Sequence, residues 1–144
     1  MLLSRSESVI ALALLLLGLS CRKAPSAEDL EWLNGYWEIR EVVFPDGGSK
    51  EYKASSTVEY FHWKDGKGYR KKVQPTVQGT YLTSDDALPM EITWREGRLF
   101  LAFSGEGQRW EEEVRQLDRE TLVTLHQNGL RYEYTRYKPL ITTP

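Results

Sequence analysis

The feature that most constrains this chain is its punctuation. Short runs of alternating apolar and polar residues are closed, one after another, by tight-turn signals: Pro45-Asp46-Gly47-Gly48, Lys64-Asp65-Gly66-Lys67, Arg95-Glu96-Gly97, Gly105-Glu106-Gly107 and Asn128-Gly129. A period of two sends one side of an extended segment into a core and the other toward water, which is the pattern of antiparallel strands. Asn-Gly between two such runs is the strongest short hairpin signal. Strands are therefore expected at 36–44, 57–63, 69–73, 77–83, 90–94, 98–104, 109–117, 122–127 and 130–137. No segment competes as a long helix. Consecutive hairpins without long crossovers predict an all-β fold: a small antiparallel up-and-down β-barrel of about 8–9 strands, whose closure removes exposed sheet edges.

The first residues break this pattern. Arg5 precedes an apolar run from Val9 to Leu19. That run is about half the ~20 residues that span a bilayer, and it has the length of an export-signal core. It leads to Cys21, the only cysteine of the 144 residues. Leu17-Gly18-Leu19-Ser20-Cys21 resembles a bacterial lipobox. The resemblance implies cleavage before Cys21 and acylation of its thiol and new amino terminus. Several acyl chains hold a protein on a bilayer stably. The expected division is a signal peptide over 1–20, lipidated Cys21 and a polar tether over 21–29, a barrel domain over 30–138, and a tail over 139–144. The expected location is the bacterial cell envelope. Arg22, rather than Asp, follows the cysteine, and similarity to enterobacterial sorting rules then implies the outer membrane. One helical turn is expected over 29–33, capped by Ser26 or Asp29, with Trp32 and Leu33 closing over the end of the domain.

Several functions lack their chemistry. A single cysteine excludes an intrachain disulfide, a CxxC redox pair and a cysteine-rich zinc site. His62 and His126 are the only histidines and show no ligand spacing, so no metal and no cofactor is expected. There is no Gly-x-Ser-x-Gly elbow and no Ser-His-Asp signature, so the chain is not expected to be an enzyme. A net charge of −2 gives no support for nucleic-acid binding. Lys64, Lys67, Arg70, Lys71 and Lys72 form a local basic run. It reads as a solvated hairpin; the alternative is contact with anionic headgroups near the anchor.

Two groups of residues carry a family resemblance. One is Leu33-Asn34-Gly35-Tyr36-Trp37, which opens the first strand with Gly-x-Trp. The other is Leu117-Asp118-Arg119-Glu120-Thr121-Leu122-Val123 followed by Tyr132-Glu133-Tyr134-Thr135-Arg136-Tyr137. With Asp65-Gly66-Lys67-Gly68 and Gly79-Thr80-Tyr81, these resemble the lipocalin-like domains of bacterial lipoproteins over about residues 30–138. The resemblance implies an eight-stranded barrel around a cavity, with Trp37 at the closed end beneath Arg136.

Alternation assigns an inward set: Ile39, Val43, Tyr60, Tyr81, Trp94, Phe103, Trp110, Tyr132 and Tyr134, joined by Val58, Ile92 and Leu101. These would line a ligand cavity, and Glu41, His62 and Glu112 would orient a polar group in it. Glu111 and Glu113 fall on the opposite face from Glu112. Two functions follow. One is a membrane-anchored barrel that binds a small apolar ligand or lipid. The other is a filled barrel that serves a structural or interaction role, docking on an envelope protein. The same inward aromatics either line a pocket or plug it.

Overall fold

Alternating segments of this length pair with their chain neighbours, and eight of them close on themselves. The computed structural model describes residues 23–53, 57–83 and 86–139. The strands are β1 (Gly35–Val43), β2 (Ser49–Glu51), β3 (Val58–Lys64), β4 (Lys67–Pro75), β5 (Tyr81–Thr83), β6 (Leu88–Arg95), β7 (Arg98–Gly105), β8 (Gln108–Leu117), β9 (Thr121–His126) and β10 (Arg131–Arg136). The order runs β10-β9-β8-β7-β6-β4-β3-β1, and β1 pairs with β10 to complete the barrel. All pairings are antiparallel. The short strands β2 and β5 lie outside the closed ring, on β1 and β4 respectively. The expected all-β, up-and-down barrel is the fold observed.

Two differences of element bear on the site. The strand expected at 77–83 is only β5, because Thr76 and Thr80 pinch a turn: the Thr76 amide donates to the Thr80 carbonyl at 2.8 Å. The three charged-polar residues of β2 carry no alternation and are held by pairing alone, Glu41 opposite Glu51.

The leader, Cys21 and Arg22, and the tail beyond Pro139, lie outside the described residues. At the start of the described chain a 3₁₀ helix runs from Ala27 to Leu33. The Asp29 carboxylate accepts from both the Ser26 amide (2.8 Å) and the Ser26 hydroxyl (2.9 Å). The backbone and then the side-chain hydrogen bond from Ser26 hold the Asp29 carboxyl below its usual range. Leu30 and Leu33 on this helix are buried, and Trp32 packs against the core. They cover one end of the barrel, as expected.

That end is filled. Trp37, Phe61, Met90, Leu99, Leu101, Phe103, Val114 and Leu122 form one cluster with Leu30 and Leu33. The strand directions place the 64–67, 95–98 and 117–121 turns at this closed end. Its lock is Arg136. The guanidinium carbon lies 3.8 Å from the Trp37 ring centroid. The same group donates to the carbonyls of Asn34 (2.9 Å), Arg119 (3.0 Å) and Trp32. One side chain thus ties the first strand, the last strand, the helix and the β8–β9 turn. Gly35 has φ +120, and a Cβ there would meet the Arg136 Nη1 at 2.7 Å. The glycine is needed both for its backbone conformation and for the room the guanidinium occupies.

Two bulges interrupt the alternation. One falls between Ile39 and Glu41, the other between Val114 and Gln116. An extra residue exchanges the faces of everything beyond it. Val42 is therefore the inward, buried residue of the second half of β1, opposite Tyr132. Glu41 pairs with Glu133 and Val43 with Arg131 on the outside. The expected inward placement of Val43 and Glu41 is corrected by this bulge.

Candidate functional site

The half of the barrel away from the helix is built differently. Inward positions that should carry apolar residues carry charge. Phe61 is fully buried in the core, so Glu59, two residues earlier on β3, points the same way. Arg70 and Lys72 hold the equivalent positions on β4, Trp110 and Glu112 on β8, Thr124 and His126 on β9, and Tyr132 and Tyr134 on β10.

Arg70 is central. Its Nη1 donates to Glu112 Oε1 at 3.2 Å, and its Nε lies 3.9 Å from Glu59 Oε2. Beneath it lie two rings: its guanidinium carbon is 4.2 Å from the Phe103 centroid and 5.9 Å from that of Phe61. Burial, the largest single influence, would lower the Arg70 pKa, but Glu112, Tyr134 and Glu59 together outweigh it and hold it above its ordinary value. Glu112 is almost fully buried and has three donors: Arg70, the Thr124 hydroxyl at 3.0 Å, and the Trp110 indole at 3.4 Å. Glu59 is less well served. Its Oε2 is buried and accepts no hydrogen bond. Burial pushes the Glu59 carboxyl up, against the opposing pull of Arg70 and Lys72. Burial likewise raises Tyr132, and it raises Tyr134 well above the usual phenol value.

Two recesses open over this network, each of about 270 Å³. One is lined by Arg70, Trp110, Glu112 and His126, the other by Ile39, Val42, Tyr52 and Thr57. Both share Glu59, Lys72, Tyr132 and Tyr134. They form the mouth of the barrel, charged on one wall and apolar on the other.

Of the residues expected to line a cavity, Ile39, Trp110, Tyr132 and Tyr134 do so, and Glu112 faces it. Phe103 is its floor, fully buried beneath Arg70 and 5.6 Å from the Trp110 ring. Ile92 and Leu101 pack in the filled half. Five other expectations are corrected. Tyr60 and His62 flank the buried Phe61 and therefore face outward, against Tyr36 (4.7 Å) and Tyr69 (5.3 Å) respectively. Tyr81 sits on the outer strand β5 and stacks on Tyr36 at 4.2 Å, because the turn at 76–80 folds that hairpin over the outside. Trp94, the penultimate residue of β6 opposite the buried Leu99, sits by the 95–98 turn at the closed end, is 39% exposed and lines neither recess. Val58 moves with Tyr60: it is buried opposite Val73 but belongs to no part of the main core cluster.

Glu59, Arg70 and Lys72 were absent from the expected cavity set. Arg70 in particular lies in the run read as a solvated hairpin, yet its side chain is only 13% exposed. The signal was available: β4 and β3 pair Arg70 with Phe61, and a cross-strand partner shares a face. Glu111 and Glu113 lie on the outer face, as expected. There Arg95 makes a two-toothed pair with Glu111 and Arg98 with Glu113. Among the described residues there is no group of three or more residues placed to hold a metal ion.

No protein-family model matches the chain, and no curated protein matches it. Among solved structures it is similar to a lipocalin-like protein from Bacteroides uniformis, at 13% identity over 74% of this chain and 99% of that one, with a TM-score of 0.47. It is also similar to an uncharacterised protein from Bacteroides eggerthii, at 13% identity over 73% and 99%, again with a TM-score of 0.47.

Proposed function

We propose that this chain is a membrane-anchored binding protein that takes a small ligand in the open end of its barrel. One observation carries the reading: the two recesses, which share Glu59, Lys72, Tyr132 and Tyr134, expose a charged wall beside an apolar one. A barrel that served only as a filled scaffold gains nothing from Arg70 and two carboxylates inside it, since buried ions are weak stabilisers at best. Ligand sites combine apolar walls with a few fixed polar groups. The filled closed half limits the ligand to a small molecule, held with its polar end toward Glu59 and its apolar part against Ile39, Val42 and Tyr132.

The anchor reading rests on Cys21 and the apolar run before it. Five residues separate Cys21 from the helix at Ala27, a reach of about 20 Å at most. The tether therefore joins the closed end, and the mouth of the barrel points away from the bilayer. The binding test is a titration of the full chain with small amphiphiles, read from tryptophan emission. Saturable quenching that disappears in Trp110→Phe supports the reading. No saturable response across amines, alcohols and acids returns the chain to the filled-barrel alternative, a protein that docks on an envelope partner.

A further inference from the structure

Inside the mouth, hydrogen-bond donors and acceptors are unequally matched. Glu112 has three donors. The Arg70 guanidinium is committed to Glu112 and to the Phe103 ring face. Glu59 has only a long contact to Arg70, and its Oε2 accepts nothing. Lys72 is exposed, so water screens its charge. The buried balance is therefore two carboxylates against one guanidinium, and the unspent capacity is that of an acceptor. Two tyrosine rings, Tyr132 and Tyr134, stand 6.4 Å apart on the same strand beside it. Ring faces attract cations.

We infer that the site selects a cationic head, a primary amine on a small apolar body, and that Glu59 is the residue that selects it. This rests on the binding role proposed above. An ammonium in the recess meets the Glu59 carboxylate, whose side chain is 17% exposed there, and brings the buried charges to balance. A carboxylate ligand would instead meet Glu59 with Arg70 already engaged. Removing one unfavourable pairing of this kind gives selectivity without adding contact area.

The experiment is calorimetric titration of the full chain with phenethylamine, phenethyl alcohol and phenylacetate, whose ring-bearing bodies suit aromatic walls. The amine is expected to bind about tenfold or more tighter than the acid, since an unmatched buried charge costs more than 1.4 kcal/mol. In Glu59→Gln that preference is expected to fall to about twofold or less. In Lys72→Gln it is expected to persist or grow. Circular dichroism of each variant checks the fold, and the Lys72 variant keeps the test decisive if Glu59→Gln does not fold. Equal or tighter binding of the acid, an unchanged preference in Glu59→Gln, or loss of preference in Lys72→Gln overturns the inference while leaving the binding role intact. Saturable binding of none of the three compounds overturns both.

Discussion

Arg70 holds its guanidinium 3.2 Å from Glu112 and above the Phe103 ring. Glu112 is 2% exposed, so replacing Arg70 leaves a carboxylate in the core with only a hydroxyl and an indole to answer it. Arg70→Met is expected to destabilise the fold by about 3–5 kcal/mol, the usual result of removing one partner from a buried pair; urea unfolding checks it. Glu59 points the other way. Its pKa is raised by burial, so the folded state binds its proton more tightly than the unfolded state does. Its contribution is most favourable below the ordinary carboxylate range and is lost as pH rises through the raised value. Glu59→Gln removes that penalty. The variant is expected to be more stable than the wild type at neutral pH, with the gap closing on acidification. A gap independent of pH would show that Glu59 ionises as easily folded as unfolded. A residue that weakens the fold and borders a recess fits the binding role proposed above.

At the scale of elements, the bulge between Ile39 and Glu41 decides which half of β1 builds the mouth. Val42 packs inside opposite Tyr132, while Val43 lies outside opposite Arg131. Val42→Asp is expected to cost about 3 kcal/mol, because it buries an unpaired polar group beside Glu59, and Val43→Asp less than about 1 kcal/mol. Equal losses would contradict the register. Closure depends on the geometry around Arg136. Its planar fork reaches three carbonyls while lying on Trp37. A lysine supplies charge but neither the fork nor the flat face. Arg136→Lys is therefore expected to lose about 2 kcal/mol, and Gly35→Ala to lose a similar amount through its φ of +120 and the clash with Arg136. Thermal unfolding of the two variants tests both.

For the whole molecule, the two halves of one barrel do separate work. The closed half is a continuous apolar cluster capped by the 3₁₀ helix and supplies stability. The open half carries the charges and the recesses. The described chain enters beside the helix, so the proposed anchor and the proposed binding site would occupy opposite ends. The full precursor, expressed in a diderm bacterium, is expected to partition into detergent and to carry acyl groups on Cys21, and Cys21→Ala to abolish both. An unmodified thiol on the mature protein, seen by mass spectrometry, would remove the anchor from the proposal and leave the barrel site untouched.

The closing pair Trp37 and Arg136 was what the lipocalin-like resemblance implied, whereas the sequence by itself determined the all-β meander and the inward Glu112, Trp110, Tyr132 and Tyr134. These follow from turn chemistry and a period of two, which are local and legible wherever the alternation runs unbroken. Only the tertiary structure decided the rest. The bulge in β1 exchanged Val43 for Val42, since one extra residue reverses every face beyond it. On β3 a consistent but opposite register placed Phe61 inside and Tyr60 and His62 outside, because both faces there carry aromatics and the pattern alone cannot rank them. The turn at 76–80 carried Tyr81 to the exterior. Arg70 looked solvated among neighbouring lysines, and it becomes an interior ion only when β3, β4 and β8 bring Glu59 and Glu112 to it across the barrel. Such a site depends on pairings between residues 42 positions apart in the chain, and no local period encodes them.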